Sequence, residues 1–284
     1  MDLNIQDNPV SSVAALLAGA GQRLLHLRGG QLDAELLLAH AMDKTRTWLH
    51  TWPEKPADNA AIDYFEDLVR RRATGVPLAY LTGTREFWSL PLQVSRHTLV
   101  PRPDTERLVE LTLEKCADAS AIMELGTGCG AVALALASEM PGKHIIATDL
   151  CQRALTVART NARELQLDVK FLCVDWLSGI VDCCLDIVVS NPPYVPTHDE
   201  HLAGDGVAFE PALALVGGHD GLDAFRTIAP QAARCLRTGG WLLLEHGHEQ
   251  GVAVRQIMQR SGLVDATTQP DATGIDRVSV AKKP

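Results

Sequence analysis

The sequence predicts an α/β protein with a mostly parallel sheet of seven strands and a small all-helical domain in front of it. Short apolar runs alternate with helical patterns from Ala121 to the end of the chain, which is typical of a mostly parallel sheet. From Pro9 to about Thr82, apolar residues recur three and four positions apart, which indicates helices. Between these regions the apolar period changes to two, so we expect a β-hairpin to join them.

Length and composition favour a soluble protein of two domains. The chain has 284 residues, near the size at which one hydrophobic core gives way to two. Its hydrophobic content of 46% and charged content of 21% are ordinary for a globular protein. The predicted division is a helical domain over residues 1–84, a hairpin linker over 85–100 and a larger domain over 101–284. The helical domain contains no constellation of ligands or nucleophiles, so we expect it to serve partner recognition.

Charge and cysteine usage argue against several classes of function. The net charge of −9 and pI near 5.5 argue against binding of nucleic acid through its phosphates, so no direct nucleic-acid binding is expected. The seven scattered cysteines form no CxxC pair, which indicates reduced thiols and no metal site. Asp2 and Asp7 stand where a signal peptide is basic, and the apolar runs are shorter than the ~18 residues of a membrane span. A cytoplasmic protein without membrane insertion is therefore expected.

Three helices are predicted in the first domain. The apolar faces of the first two contain Val13, Leu16, Leu17 and Leu24, and then Leu36, Leu37 and Ala41. The third runs from about Ala57 to Ala73. Gly75, followed by Pro77, marks where it stops.

The junction between the domains has its own pattern. Pro91 interrupts the hairpin predicted between Arg85 and Val100. A Pro-x-Pro segment follows at 101–103, and Asp104 or Thr105 then predicts the N-cap of a helix.

Seven strands are predicted in the second domain, and the last two are expected to form an antiparallel pair. They lie near residues 121–125, 144–149, 169–174, 185–190, 241–246, 263–268 and 276–281. A helix over 131–138 is expected to follow the first of them.

A glycine-rich segment joins the first strand to that helix. Glycines at 126, 128 and 130 allow a sharp turn and let a ligand approach the backbone at a helix N-terminus. Asp149 closes the second strand, where a carboxylate can accept hydrogen bonds from ribose hydroxyls. The pattern predicts a nucleotide-like cofactor, and it fits a nicotinamide dinucleotide and S-adenosylmethionine equally.

The segment from Ser190 to Tyr194, of sequence SNPPY, directly follows the apolar run of the fourth strand. Its two prolines remove two N–H donors, so the loop offers carbonyl oxygens without competing backbone donors. Asn191 adds a side-chain acceptor, and Tyr194 adds a flat ring. This combination suits a planar NH2 group, although Asn-Pro and Pro-Pro are also common turn residues. After the third strand, Trp176 is expected either to contact an adenine or to pack in the core.

Long stretches of the chain resemble the HemK-type release-factor glutamine methyltransferases. The segments that carry the resemblance are GVPLAYLTG (75–83), REFW (85–88), LVPRPDTE (99–106), ELGTGCGAVALALA (124–137), VSNPPYVP (189–196), FEPALALVGGHDGLD (209–223) and GGWLLLEHG (239–247). They occur in the family's order and include the helical domain. The chain departs from the family's usual residues at Glu124, Cys129 and His248.

The resemblance implies a Rossmann-like, class I S-adenosylmethionine-dependent methyltransferase. It implies transfer of a methyl group to the side-chain amide nitrogen of the glutamine in the Gly-Gly-Gln motif of class I peptide chain release factors, with S-adenosylhomocysteine as product and without a metal. The cofactor-binding residues that it implies are Gly126, Thr127, Gly128, Cys129, Gly130, Asp149, Trp176 and Asn191. The substrate amide would be held by Asn191, Pro192, Pro193 and Tyr194, with Asn191 and Pro192 as the catalytic residues.

Three other functions fit part of the sequence. An amino methyltransferase acting on adenine or cytosine meets the same planar NH2 group, although the acidic chain argues against it. A nicotinamide-dependent oxidoreductase would use the glycines and Asp149 and would leave the SNPPY loop unexplained. The third is a cofactor-binding protein without activity.

The segment from Val195 to His219 is long for a loop of a compact domain. We expect it to act as a lid over the substrate or to contact the partner.

Overall fold

The computed structural model describes residues 12–117, 119–204 and 206–284. Pro9, the predicted start of the helical pattern, and the first eleven residues of the predicted helical domain lie outside these ranges. The helices are α1 Val13–Arg23, α2 Gly30–Met42, α3 Arg46–Thr51, α4 Asn59–Ala73, α5 Leu78–Thr82, α6 Glu106–Lys115, α7 Ala131–Glu139, α8 Gln152–Glu164, α9 Ala212–Leu215, α10 Asp223–Cys235 and α11 Gly251–Arg260. The strands are β1 Thr84–Phe87, β2 Leu90–Gln93, β3 Ala121–Leu125, β4 His144–Asp149, β5 Lys170–Cys173, β6 Leu185–Ser190, β7 Leu236–Glu245, β8 Val264–Pro270 and β9 Asp276–Lys282.

The described residues form two compact units. One is the chain up to Gly83 together with Gly204–Phe209, and the other is Thr84–Ala203 with Glu210–Pro284. The β1–β2 hairpin groups with the second unit. The short segment Gly204–Phe209, from the middle of the predicted lid, groups with the helical unit.

The helical unit packs around α2, which contacts α1, α3, α4 and α5. Because α2 has neighbours on several sides, Ala34, Leu37 and Leu38 are all buried, whereas Leu36 of the predicted face is only half-buried. The side chain of Asp58 accepts a hydrogen bond from Ala61 N at 2.7 Å and so caps α4. This cap makes α4 begin at Asn59, slightly later than predicted.

The second unit contains the predicted seven-stranded, mostly parallel sheet, in the order β5-β4-β3-β6-β7-β9-β8. The pairs from β5 to β7 are parallel, and β9 pairs antiparallel with both β7 and β8. The predicted strand positions are confirmed, but β7 begins at Leu236 rather than 241. The apolar run begins only at Trp241, whereas the strand also includes Gly239 and Gly240 and has a register irregularity opposite β6.

The register of the parallel strands aligns their carboxyl ends. One row of paired residues crosses the sheet through Leu172, Thr148, Leu125, Ser190 and Leu244. The residues that directly follow this row are Cys173, Asp149, Gly126, Asn191 and Glu245. Polar and glycine residues that are far apart in sequence therefore meet at one edge of the sheet.

Asn161 on α8 joins the hairpin to the glycine-rich segment. It is fully buried, and its Oδ1 accepts a hydrogen bond from Gln93 N at 2.8 Å. Its Nδ2 donates to Gln93 O at 3.0 Å and to Cys129 O at 2.8 Å. One amide side chain thus satisfies three backbone groups that have lost contact with water.

Asn161→Ala is expected to destabilise the protein by about 2–4 kcal/mol, because it leaves these backbone groups without partners. Chemical denaturation followed by tryptophan fluorescence measures the change. Arg163→Ala, at an exposed position of the same helix, is the control and is expected to change the unfolding free energy by less than about 0.5 kcal/mol. Equal stability of the two variants would show that the Asn161 contacts contribute nothing.

Candidate functional site

A cavity of about 360 Å³ opens at the carboxyl ends of β3, β4, β5 and β6. Its size is that of a small-molecule site, and its position is the one at which α/β sheets bind ligands. The residues that line it are His97, Thr98, Leu99, Gly126, Gly128, Thr148, Asp149, Leu150, Cys151, Ala154, Val174, Asp175, Trp176, Asn191, Pro193, Pro211, Leu213, Ala214 and Val216. Its walls are mainly apolar, with a few polar groups among them.

Two glycines form one side of the cavity. Gly126 and Gly128 have φ of +69° and +58°, a backbone conformation that favours glycine. A Cβ atom built on Gly128 meets nothing within 4 Å, so a side chain there would extend into open space. The backbone is therefore accessible to a ligand at this point.

Asp149 lies opposite these glycines and is held by the backbone. Its Oδ2 accepts a hydrogen bond from Gly128 N and its Oδ1 accepts one from Cys151 N, each at 2.8 Å. Burial raises the pKa of this carboxyl, and these backbone hydrogen bonds partly counteract the rise. Each oxygen keeps a lone pair for a further donor, as ribose hydroxyls would provide.

Trp176 contributes an aromatic surface to the cavity. Its φ is +48°, which is uncommon for a bulky residue and is found where function or packing requires it. The indole packs against the main core cluster, and its Cζ3 lies 3.5 Å from a Cβ built on Gly126. One part of the ring therefore packs in the core and another part lines the cavity, while the predicted contact with an adenine stays a prediction.

The SNPPY loop is anchored at both ends. Ser190 Oγ donates a hydrogen bond to Leu125 O at 2.8 Å, and Gln250 Nε2 donates one to Tyr194 O at 3.0 Å. Asn191 Nδ2 donates to Thr105 Oγ1 at 3.1 Å. Asn191 and Pro193 line the cavity, whereas Pro192 is buried. Burial is the main cause that raises the pKa of Tyr194 to about 12, so its hydroxyl stays protonated at neutral pH.

Three residues predicted to bind the cofactor do not line the cavity. The hydroxyl of Thr127 donates to the Glu124 carboxyl, and burial raises the pKa of Cys129 to about 12. A Cβ built on Gly130 would lie 3.0 Å from Leu134 and 3.3 Å from Ala158, so a side chain would collide with α7 and α8. All three residues are buried on the interior side of the glycine-rich segment.

Several residues at the site were not singled out from the sequence. Part of the predicted lid forms a wall of the cavity, since Pro211, Leu213, Ala214 and Val216 line it. Backbone hydrogen bonds from Val195 N to Leu215 O and from Gly217 N to Val195 O join this wall to the SNPPY loop. Two motifs also meet through an ion pair between Arg102 and Glu210.

Two buried carboxyls flank the site. Glu124 in β3 accepts hydrogen bonds from Thr127 Oγ1 and from Ala133 N, and burial raises its pKa to about 7. Glu245 ends β7 beside Asn191, and burial raises its pKa to about 7 as well.

The described ranges contain neither a metal-ligand cluster nor a membrane-spanning helix. No group of three or more His, Cys, Asp or Glu side chains there is arranged to hold a metal ion. No helix in this part of the chain has the length and apolar character needed to cross a bilayer.

Two family models match the chain: the PrmC N-terminal domain over residues 15–83 and the methyltransferase small domain over 104–208. A release factor glutamine methyltransferase of Vibrio cholerae is 46% identical over 254 residues, which cover 88% of this chain and 89% of the relative. The relative of that name from Xylella fastidiosa strain Temecula1 is 45% identical over 276 residues, 96% of this chain and 98% of its own. The one from Escherichia coli K12 is 43% identical over 252 residues, 88% and 91%.

Solved structures of other methyltransferases share the fold. A methyltransferase from Pyrococcus furiosus matches with a TM-score of 0.52 and 18% identity over 68% of this chain and 89% of its own. The hMettl16 catalytic domain, in complex with the MAT2A 3′UTR hairpin 1, matches with a TM-score of 0.57 and 16% identity over 76% and 80%. At these identities the likeness concerns the fold alone.

The buried Glu124 makes stability depend on pH. Its pKa is about 7 in the folded protein against an ordinary value of 4.5, so the wild type loses stability as pH rises from 4.5 through 7. A glutamine does not titrate. Between pH 4.5 and about pH 8, the unfolding free energy of Glu124→Gln should therefore rise relative to wild type by up to about 3 kcal/mol.

Urea denaturation at a series of pH values measures this difference. Glu249→Gln, which removes an exposed carboxyl, is the matched control. A difference between Glu124→Gln and wild type that stays constant from pH 4.5 to 8 would contradict the assignment.

Proposed function

The chain belongs to the family of release factor glutamine methyltransferases, and from this premise we propose how its residues carry out the reaction. It is an S-adenosylmethionine-dependent protein glutamine methyltransferase. The proposed acceptor is the side-chain amide nitrogen of the glutamine in the Gly-Gly-Gln motif of class I release factors. The observation that supports this best is the contact from Asn191 Nδ2 to Thr105 Oγ1, since it leaves Asn191 Oδ1 for a substrate N–H.

The cavity residues fit S-adenosylmethionine. In this proposal, Gly126 and Gly128 accommodate the methionine part where no Cβ blocks the backbone. Asp149 accepts hydrogen bonds from the ribose, and the indole of Trp176 packs against the adenine. Thr127, Cys129 and Gly130 support the loop, with their backbone along the cofactor. The bound cofactor supplies an electrophilic methyl group, and the proposal needs no metal.

A carboxamide nitrogen is a poor nucleophile because its lone pair is delocalised into the carbonyl. We assign two acceptors to its hydrogens: Asn191 Oδ1 and the carbonyl oxygen of Pro192. These acceptors orient the nitrogen and stabilise the positive charge that develops on it during attack. The Pro193 and Tyr194 side chains pack around the amide. The proton becomes acidic as the transfer advances, so the proposal requires no dedicated base.

Other parts of the chain are assigned to the protein substrate. The helical domain over residues 1–84 is proposed to recognise the release factor, and the hairpin over 85–100 links it to the methyltransferase domain over 101–284. The lid over 195–219 is proposed to close over the substrate or to contact the release factor. The exposed Leu213 stands on the cavity wall, where a bound protein segment would cover it. We also propose that the protein is cytoplasmic and that it does not bind nucleic acid directly.

Incubation with labelled S-adenosylmethionine tests the acceptor. Wild-type release factor should be labelled at one glutamine, and a release factor with the motif glutamine replaced by alanine should not be labelled. Mass spectrometry of the digested release factor locates the methyl group. Equal labelling of both release factors would refute the glutamine assignment, and labelling of RNA or DNA instead would favour the nucleic-acid amino methyltransferase.

Asn191→Ala tests the role of the loop. Removing one of two acceptors should lower kcat on the order of 10²-fold, by analogy with the loss of one oxyanion-hole donor. Turnover is measured at saturating cofactor and release factor, and calorimetry gives the cofactor affinity. The melting temperature and far-ultraviolet circular dichroism serve as controls for folding. A folded Asn191→Ala enzyme with near-normal kcat would disprove the assignment.

A further inference from the structure

Glu245 is a buried carboxyl that the proposed reaction leaves without a role. Its side chain is 1% exposed at the carboxyl end of β7. The pairing of Ser190 with Leu244 places it on the strand next to Asn191, directly beyond the last paired row. The Thr105 and Asn191 side chains both favour the ionised form of this carboxyl, which places them close to it. No group among the described residues bonds its Oε2 atom.

Burial of such a group is unfavourable. A carboxyl that leaves water without full pairing destabilises the fold, and an isosteric neutral side chain would remove that cost. Structural support of the strand end does not need a charge. The charge therefore requires another explanation, and the surrounding hydrogen bonds supply one.

The hydrogen bonds form a chain with a direction. An ionised carboxylate can only accept, so it favours the Thr105 hydroxyl directing its single proton toward Glu245. The Thr105 oxygen can then only accept from Asn191, as it does from Nδ2 at 3.1 Å. With its NH2 group held on this side, the Asn191 amide is oriented with Oδ1 on the other side.

We propose that Glu245 is a positioning residue that orients the Asn191 side chain, directly and through Thr105, so that Asn191 Oδ1 accepts from the substrate amide. The inference rests on the proposed role of Asn191. A flipped Asn191 would present N–H groups to the N–H groups of the glutamine. Such an arrangement cannot bind the nitrogen, so the orientation of one amide decides whether the site is productive.

The positioning role of Glu245 makes turnover depend on pH. A protonated Glu245 can donate to Thr105, which lets the chain reverse. The groups that face Glu245 are Arg277 of β9, Asp104 before α6, and Tyr194. Arg277 opposes the effect of burial on the pKa of Glu245 and Asp104 adds to it, with a result of about 7. Turnover at saturating cofactor should therefore fall as pH falls through 7.

Two other groups titrate near Glu245, and their effects can be distinguished from its own. Burial also raises the pKa of Glu124 to about 7, but its contacts are to the glycine-rich segment, so its titration should affect cofactor affinity. His246 Nε2 bonds Ser279 Oγ at 2.9 Å on the opposite face of β7, and burial lowers its pKa. Turnover at saturating cofactor isolates the contribution of Glu245.

Glu245→Gln is the main variant, because glutamine keeps the shape of the side chain and can donate to Thr105. We expect kcat at pH 8 to fall about tenfold, the effect of losing one oriented hydrogen bond, and the decline below pH 7 to disappear. Cofactor affinity should change less than about twofold, and the melting temperature should not decrease. Glu124→Gln should retain the decline of kcat below pH 7.

Thr105 provides a second, independent test. Thr105→Val removes the hydroxyl and should lower kcat as much as Glu245→Gln, whereas Thr105→Ser keeps the hydroxyl and should retain kcat. Because both residues orient the same amide, the loss of kcat in the double variant of Glu245→Gln and Thr105→Val should be smaller than the product of the two single losses. If Glu245→Gln fails to fold, the valine and serine variants decide the question.

Wild-type kcat together with an unchanged pH profile in Glu245→Gln would overturn the inference, as would equal activity of Thr105→Val and Thr105→Ser. A loss of kcat accompanied by an equal loss of cofactor affinity would also overturn it, because that pattern indicates general damage to the site. Asn191→Ala separates the two levels of the account. If it keeps normal turnover, the role of Asn191 fails; if it is inactive while Glu245→Gln is normal, only the role of Glu245 fails.

Discussion

The common register of the parallel strands is the constraint on which the site depends. β3 pairs in parallel with both β4 and β6. Strand pairing alone therefore places the residues that follow these three strands side by side. Across the sheet, Asp149 and Gly126 come first, and Asn191 and Glu245 follow them. The cavity and the SNPPY loop therefore share this edge of the sheet, and a shift of one residue in the pairing of a strand would change which residues meet there.

Hydrogen bonds then orient the side chains that this alignment brings together. Backbone N–H groups hold Asp149, and the hydroxyl of Thr105 holds Asn191. The buried carboxyl of Glu124 supports the glycine-rich segment. The buried carboxyl of Glu245 is the one proposed to position the Asn191 side chain. Both have pKa values raised to about 7 by burial, so each is kept at the expense of stability at neutral pH. Such costs are typical of sites that must hold polar groups in one orientation.

The strands and the main site residues were predictable because they depend on local patterns. Apolar runs located the strands, and their ends located Asp149 and Asn191. The start of β7 was missed because the apolar run begins only at Trp241, although strand pairing extends back to Leu236. Asn161 and Glu245 carry no local pattern, since their partners are distant in sequence.

Thr105 shows how a local interpretation can be incomplete. Its position after Pro103 predicted a helix N-cap, and it does precede α6, but its side chain makes no capping hydrogen bond. The hydroxyl is buried and bonds Asn191 instead. Only the tertiary fold brings these two segments together, so the connection between the junction and the SNPPY loop was not visible in the sequence.

The orientation of the Asn191 amide is the central claim, and a crystal structure with S-adenosylhomocysteine and a Gly-Gly-Gln peptide tests it most directly. The glutamine nitrogen is predicted within hydrogen-bond distance of Asn191 Oδ1 and the Pro192 carbonyl, with Asn191 Nδ2 still on Thr105. A glutamine amide bound away from Asn191, or one that accepts a hydrogen bond from Asn191 Nδ2, would contradict the account.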